Sequence, residues 1–181
     1  MVKLCKKLIV KEDYDRSARH YDRRYSKIQG VKFNMVSNYL PESGLLFDLG
    51  SGTALILKCK KLRRLRYIGI DISPEMTKIA LKKHHFYKNF IIGDVEHLPL
   101  RDGPAENICS FTVLQNLEEQ ACFIKEVRRI IAANGVVILS ALKKSLNLER
   151  VKAILDENHF KIDKIVETPS SEDMGLIIFS I

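Results

Sequence analysis

Three successive apolar runs in this chain end on an aspartate: LLFD (residues 45–48), RYIGID (66–71) and NFIIGD (89–94). Each is too short for a helix and too continuously apolar for a strand with one wet face. Strands buried on both faces of a parallel sheet read this way. Ligands of such sheets bind beyond the carboxyl ends of the strands, where the strand order reverses. Three consecutive strands therefore deliver three carboxylates, Asp48, Asp71 and Asp94, to one rim.

The remaining pattern fits the same architecture. A helix-forming stretch at 53–62 follows the first strand, and Ser73 caps another helix, with Pro74 in its first turn and Glu75 near its positive end. Residues 107–115 read as a fourth strand, 118–132 as a helix, Asn134-Gly135 as a turn, and 136–141 as a fifth strand. A last helix at 146–158 precedes IDKIVET and GLIIFSI, two strands joined across TPSSEDM. Ahead of the sheet, a polar helix at 12–25 carries Tyr14, Tyr21 and Tyr25, and a second at 28–40 stops at Pro41. The expected fold class is α/β, as one domain over 1–181. Its seven-stranded, mostly parallel sheet has one antiparallel strand in the carboxyl-terminal hairpin and helices on both faces.

With 46% hydrophobic residues among 181, the chain can bury a substantial core, and its 9 glycines and 5 prolines leave no low-complexity linker. Leu8-Ile9-Val10 is too short for a signal-peptide core or a membrane span, so a cytoplasmic protein without membrane association is expected. Cys5, Cys59, Cys109 and Cys122 form no CxxC pair and stand at no ligand spacing from a histidine, so no metal site is expected.

The residues around the three acids have separable physical jobs. Gly50 and Gly52 let a ligand approach the backbone closely. Asp71 follows Gly50 by 21 residues, where a carboxylate accepts hydrogen bonds from ribose hydroxyls. Asp94 is placed to accept from an exocyclic amine and the amide of Val95 to donate to a ring nitrogen. Together they describe an adenosine site. A dinucleotide is disfavoured: the third position of G-x-G-x-x-G is Leu55, and Asp48 would repel a pyrophosphate. An acid there suits a ligand with an ammonium group, which points to S-adenosylmethionine (SAM).

The chain resembles the class I, Rossmann-like SAM-dependent methyltransferases. FDLGSGTA is similar to their first motif, with Ala54 where a third glycine is common; YIGIDISPEMTKIA resembles the second and GDVEHLPL the third. VRRIIAANGVVILS is similar to their later helix, turn and strand, and ARHYDRRY to an amino-terminal segment that folds over the cofactor. The resemblance implies a SAM-binding core at 45–181 behind a helical lid and substrate wall at 1–44. It implies a cofactor set of Asp48, Gly50, Ser51, Gly52, Asp71, Ile72, Asp94, Val95 and Tyr21. A (D/N)-P-P-(Y/F/W) motif is missing after the fourth strand; Gln115 and Asn116 stand there and, with Tyr21, are the candidate catalytic residues.

A net charge of +8 favours RNA as the methyl acceptor. The basic residues expected at the active rim are Arg16, Arg19, Arg23, Arg24 and Lys27, with Lys143 and Lys144; Arg19, Arg23, Arg24 and Lys143 are the substrate candidates. The clusters at 58–66 and 82–88 fall on the opposite rim. A small-molecule acceptor suits a compact domain equally, and a SAM-binding regulator without catalysis is a third reading. No appended RNA-binding domain is apparent, so a small activator subunit is an expected partner if the substrate wall is incomplete.

Overall fold

The computed structural model describes residues 5–85, 89–103, 105–145, 147–167, 169 and 172–179. The expected helix start at Leu146, hairpin-loop residues Thr168, Ser170 and Ser171, strand end Ser180-Ile181, loop residue Pro104 and the end of the basic cluster at Lys88 lie outside them.

The elements run α1 (Lys6–Met35), β1 (Leu45–Leu49), β2 (Arg66–Asp71), α2 (Pro74–Lys83), β3 (Phe90–Ile92), β4 (Ala105–Phe111), α3 (Gln120–Ile130), β5 (Ile131–Leu142), α4 (Leu148–Glu157), β6 (Lys161–Glu167) and β7 (Asp173–Phe179). The sheet order is β3-β2-β1-β4-β5-β7-β6. Strands β3, β2, β1, β4 and β5 are mutually parallel, and β7 runs antiparallel to both β5 and β6. The order reverses at β1, whose neighbours are β2 and β4, so the crevice opens at the carboxyl ends of β1 and β4.

Alternation along the strands divides the core between two faces. Phe47, Leu49, Ile70, Ile108, Val137 and Leu139 pack with Phe123, Ile124 and Val127 of α3 and Val151, Ile154 and Leu155 of α4. Leu46, Tyr67, Cys109 and Ile138 face the other way, onto Phe33 of α1, Leu55, Ile56 and Leu57, and Ala80 of α2. Each fully buried Leu, Ile or Phe contributes on the order of 2 kcal/mol to folding.

Several local expectations differ from the structure: the third strand, expected over 89–94, ends at Ile92 and leaves Asp94 beyond it, and the helix expected to reach residue 40 ends at Met35. The two amino-terminal helices are one, α1, because no proline intervenes and the Ser26 hydroxyl bonds back to the Asp22 carbonyl (2.6 Å) instead of capping a new helix. The helix expected at 53–62 is two short 3₁₀ turns, Leu55–Lys58 and Lys60–Arg64: Ala54 is left-handed (φ 56°) and Cys59 extended, so no α-helical ladder spans them. β4 stops at Phe111, where Thr112 turns to φ 62° and begins the 3₁₀ turn region around Leu114–Asn116. β5 begins before the expected turn. Ile131 already pairs with Ala105, the register shifts before Asn107–Val136, and Asn134 (φ 62°) lies in the intervening residues.

Candidate functional site

The three acids stand on one rim with different surroundings. Asp48, on β1, is buried at 3% exposure; it accepts from the Tyr67 hydroxyl (2.7 Å) and, at 3.5 Å, from the Cys109 thiol. Burial, with Asp71 nearby, pushes its carboxyl up to about 6 against the two hydrogen bonds. Asp71, closing β2, accepts from the Gly52 N–H (2.7 Å) and the Ser73 N–H (2.8 Å). Burial outweighs those bonds and raises it to about 6 as well. Asp94, beyond β3, is the opposite case. Burial pushes it up, but the Lys7 ammonium, the Glu96 N–H and His97 outweigh burial and hold it below the usual carboxylate range.

The glycine loop is fixed by one carbonyl: the N–H groups of Gly50 and Ser51 both donate to Ile70 O, at 2.8 and 3.0 Å. Gly50 has φ 78° and Gly52 φ 53°, conformations that L side chains rarely adopt. A Cβ on Gly50 would lie 2.3 Å from Val113 Cγ2, whereas one on Gly52 would meet Tyr21 Cε1 at 4.0 Å.

α1 crosses this rim and is tied down along its length. Lys6 Nζ donates to Leu117 O at 2.6 Å, and Lys7 Nζ lies 2.5 Å from Asp94 and 3.0 Å from Glu96. Asp15 accepts from the Ser73 hydroxyl (2.5 Å), and the Tyr14 hydroxyl accepts from Asn116 Nδ2 (3.0 Å). Asp22 holds the Thr53 hydroxyl (2.5 Å) and pairs with Lys83. Near its carboxyl end, buried Lys32 donates to the Thr112 hydroxyl at 2.5 Å.

Between α1 and the rim lies a cavity of about 550 Å³, within the range of small-molecule sites. Gly50, Gly52, Asp71, Ile72, Asp94, Val95, Tyr21, Gln115 and Asn116 all line it. Asp48 and Ser51 do not; they line a side chamber of about 30 Å³ that shares Tyr21, Gln29, Gly50 and Phe111 with the main cavity. The sequence-selected residues are thus brought together, across two spaces that share walls.

The basic candidates are not. Arg19, Arg23 and Arg24 are exposed and do not line the cavity, nor do Arg16, Lys27 and Lys144. Lys143 pairs with Glu167 at 3.0 Å. One helical face holds the tyrosines, and these residues point away from it. The cavity's cations are Lys7 and Lys32, which sequence reasoning missed along with Gln29. Their signal was present, since Lys7, Tyr14, Tyr21, Ile28 and Lys32 continue the tyrosine stripe at helical spacing.

Among the described residues, no cluster of His, Cys, Asp and Glu could hold a metal ion, and no helix is long and apolar enough to cross a membrane. The residues present fit SAM: carboxylates on one rim, two loop glycines and a buried acceptor, Gln29 Oε1, that has no hydrogen-bond partner among the described residues.

Residues 47–139, more than half of the chain, match the family described as a methyltransferase domain. The chain is similar to malonyl-[acyl-carrier protein] O-methyltransferase of Marinomonas sp., with 29% identity over 146 residues, 77% of this chain and 54% of that protein. It is also 26% identical over 174 residues to an uncharacterized protein of Methanocaldococcus jannaschii, covering 89% of this chain and 67% of that one. The chain spans about half the length of the curated methyltransferases it matches. In fold it is similar to magnesium protoporphyrin IX methyltransferase from Synechocystis PCC 6803 with bound SAM, with a TM-score of 0.79, 21% identity and full coverage of both chains. With SAM as the cofactor its site accommodates, the chain belongs to the class I, Rossmann-like SAM-dependent methyltransferases.

Proposed function

We propose that the chain transfers the methyl group of SAM to a small molecule held under α1, and that the acceptor atom is an oxygen. The observation that carries this reading is the cavity itself. Its adenosine-type acids and its amide-bearing end at Gln115 and Asn116 share one space of about 550 Å³, while Arg19, Arg23 and Arg24 face outside it. The names of the similar proteins, a malonyl-[acyl-carrier protein] O-methyltransferase and a magnesium protoporphyrin IX methyltransferase, support a small acceptor over RNA.

When bound, SAM supplies a methyl group already activated by its sulfonium, so the protein's task is alignment at roughly 3 Å. Asp71 would accept from the ribose hydroxyls and Asp94 from the adenine amine, with Val95 beside it. Tyr14 and Tyr21 wall the site from water. Gln115 and Asn116 orient the acceptor; Asn116 is itself held by the Tyr14 hydroxyl and Gln115 Nε2 by Thr112 O (2.5 Å).

The side chains named at that end, Gln115, Asn116, Tyr14 and Tyr21, are poor bases. The amides do not titrate, and burial raises the phenols of Tyr14 and Tyr21 above their ordinary value. Such a site suits an acceptor that arrives ionised, above all a carboxylate, which needs no proton removed. The test is methyl-labelled SAM incubated with the protein, a panel of small carboxylic acids and acyl thioesters, and unmodified RNA. Label is expected in a methyl ester; label in RNA that disappears in the Arg19/Arg23/Arg24→Glu variant would overturn the assignment.

A further inference from the structure

We infer that Gln29, carried by the lid helix α1, is a binding residue for the ammonium group of SAM's methionine half, acting across the side chamber from Asp48. This rests on the cofactor reading above and adds a residue outside the glycine-loop motif.

Gln29 is 6% exposed, and its two amide atoms have unequal surroundings. Nε2 donates to the Tyr21 hydroxyl at 3.3 Å, while Oε1 is buried without a hydrogen-bond partner among the described residues. A buried amide oxygen left in that state costs about 1–3 kcal/mol, a penalty that a bound donor removes. Gln29 lines both the main cavity and the side chamber, whose other polar side chains are Asp48, Ser51 and Tyr21. Tyr67 and Cys109 donate to the Asp48 carboxylate from within the protein, leaving acceptor capacity on its oxygens. Among the described residues, its wall thus combines a carboxylate and an unpaired amide oxygen with no Lys or Arg. That is the complement of a small cation with several N–H groups. About 30 Å³ exceeds the volume needed to hold one water, which an ammonium group resembles in size. The opposite orientation of the Gln29 amide would present Nε2 and would match a carboxylate instead.

Because Gln29 stands on α1 and Asp48 on β1, an ammonium held between them links the lid to the sheet. The lid's other ties to this part of the rim, Asp22 with Thr53 and Lys83, flank the same loop.

Calorimetry of the full chain with SAM, S-adenosylhomocysteine and 5′-methylthioadenosine tests this, since the last ligand keeps the adenosine and lacks the amino-acid tail. Gln29→Leu is expected to weaken SAM and S-adenosylhomocysteine at least tenfold and leave methylthioadenosine within twofold. Gln29→Glu, which keeps an acceptor, is expected to hold SAM affinity at or above that of the unaltered protein. Equal losses for all three ligands, or unchanged SAM affinity in Gln29→Leu, would overturn the inference. So would loss of SAM in Gln29→Glu, which signals a donor to the carboxylate. If the unaltered protein binds none of the three, the cofactor reading itself fails, a result distinct from the others.

Discussion

Lys7 Nζ lies 2.5 Å from Asp94 Oδ2, so a cation from the first turns of α1 sits on the carboxylate assigned to the adenine amine. Asp94 Oδ1 already accepts from the Glu96 N–H (2.9 Å), and His97 Nδ1 is 3.2 Å from Oδ2. The adenine amine must share or displace Lys7. With side-chain exposures of 24% and 25%, the pair is partly screened and is worth about 1 kcal/mol or less. Lys7→Met is therefore expected to tighten SAM binding up to about fivefold by calorimetry. It should also speed amide exchange in the first turns of α1. A tenfold loss of affinity would instead make Lys7 part of the adenine wall.

Asp48 combines a binding role with a stability cost. Its folded-state value of about 6 is raised above the ordinary 3.8, so the folded protein holds that proton more tightly than the unfolded chain. Stability from this group is complete below pH 4 and is lost as pH rises through 6, amounting to about 3 kcal/mol at neutrality. Asp48→Asn removes that cost. It should melt about 6–12 °C higher than the unaltered protein at pH 7.5, with the difference closing at pH 4, while SAM binding falls sharply. A lower melting temperature at pH 7.5 would show that the Tyr67 hydroxyl bond requires the carboxylate.

Asp48 and Asp71 set the pH dependence of binding. Asp71 and Asp48 both titrate near 6 in the free protein, and the proposed ligand contacts favour the ionised form of each. From pH 7 to 5, SAM affinity is expected to fall about a hundredfold, one factor of ten from each group, and to level off above pH 7. Of these two acids methylthioadenosine engages only Asp71, and it should lose about tenfold. Parallel titration curves for the two ligands would remove Asp48 from the ammonium site.

The rim was readable because each of Asp48, Asp71 and Asp94 follows an apolar run, and Gly50 and Gly52 come with the first. Only Asp71 closes its strand; Asp48 precedes the last residue of β1, and Asp94 lies beyond β3, which is short and partly exposed. The lid was not readable to the same degree. Residues 26–28 join a polar stretch to one with apolar residues at helical spacing, with no capping or breaking signal strong enough to decide between one helix and two. Once α1 is continuous, Lys7, Gln29 and Lys32 fall on the tyrosine face and the arginines fall off it. Charge count had pointed to RNA through Arg19, Arg23 and Arg24; a count carries no information about which face a charge occupies. Ala54 posed a different difficulty, since an alanine at φ 56° reads from sequence as a helix former.

The two loop glycines should separate folding from binding. Gly50 has φ 78°, and an added Cβ would lie 2.3 Å from Val113 Cγ2, with Val113 anchored at the start of the Leu114–Asn116 turn. Neither backbone nor neighbour can yield cheaply, so Gly50→Ala should cost about 3 kcal/mol or more in denaturant unfolding. At Gly52 the backbone cost is about 1 kcal/mol for φ 53°, and the nearest atom, Tyr21 Cε1, is at an ordinary 4.0 Å. Yet Gly52 lines the cavity floor beneath Tyr21, and its N–H orients Asp71. A methyl group there takes space from the ligand while the protein stays folded. Gly52→Ala is thus expected to lose at least tenfold in SAM affinity with only a small loss of stability. If Gly52→Ala binds SAM as the unaltered protein does, the floor of the cofactor site lies elsewhere.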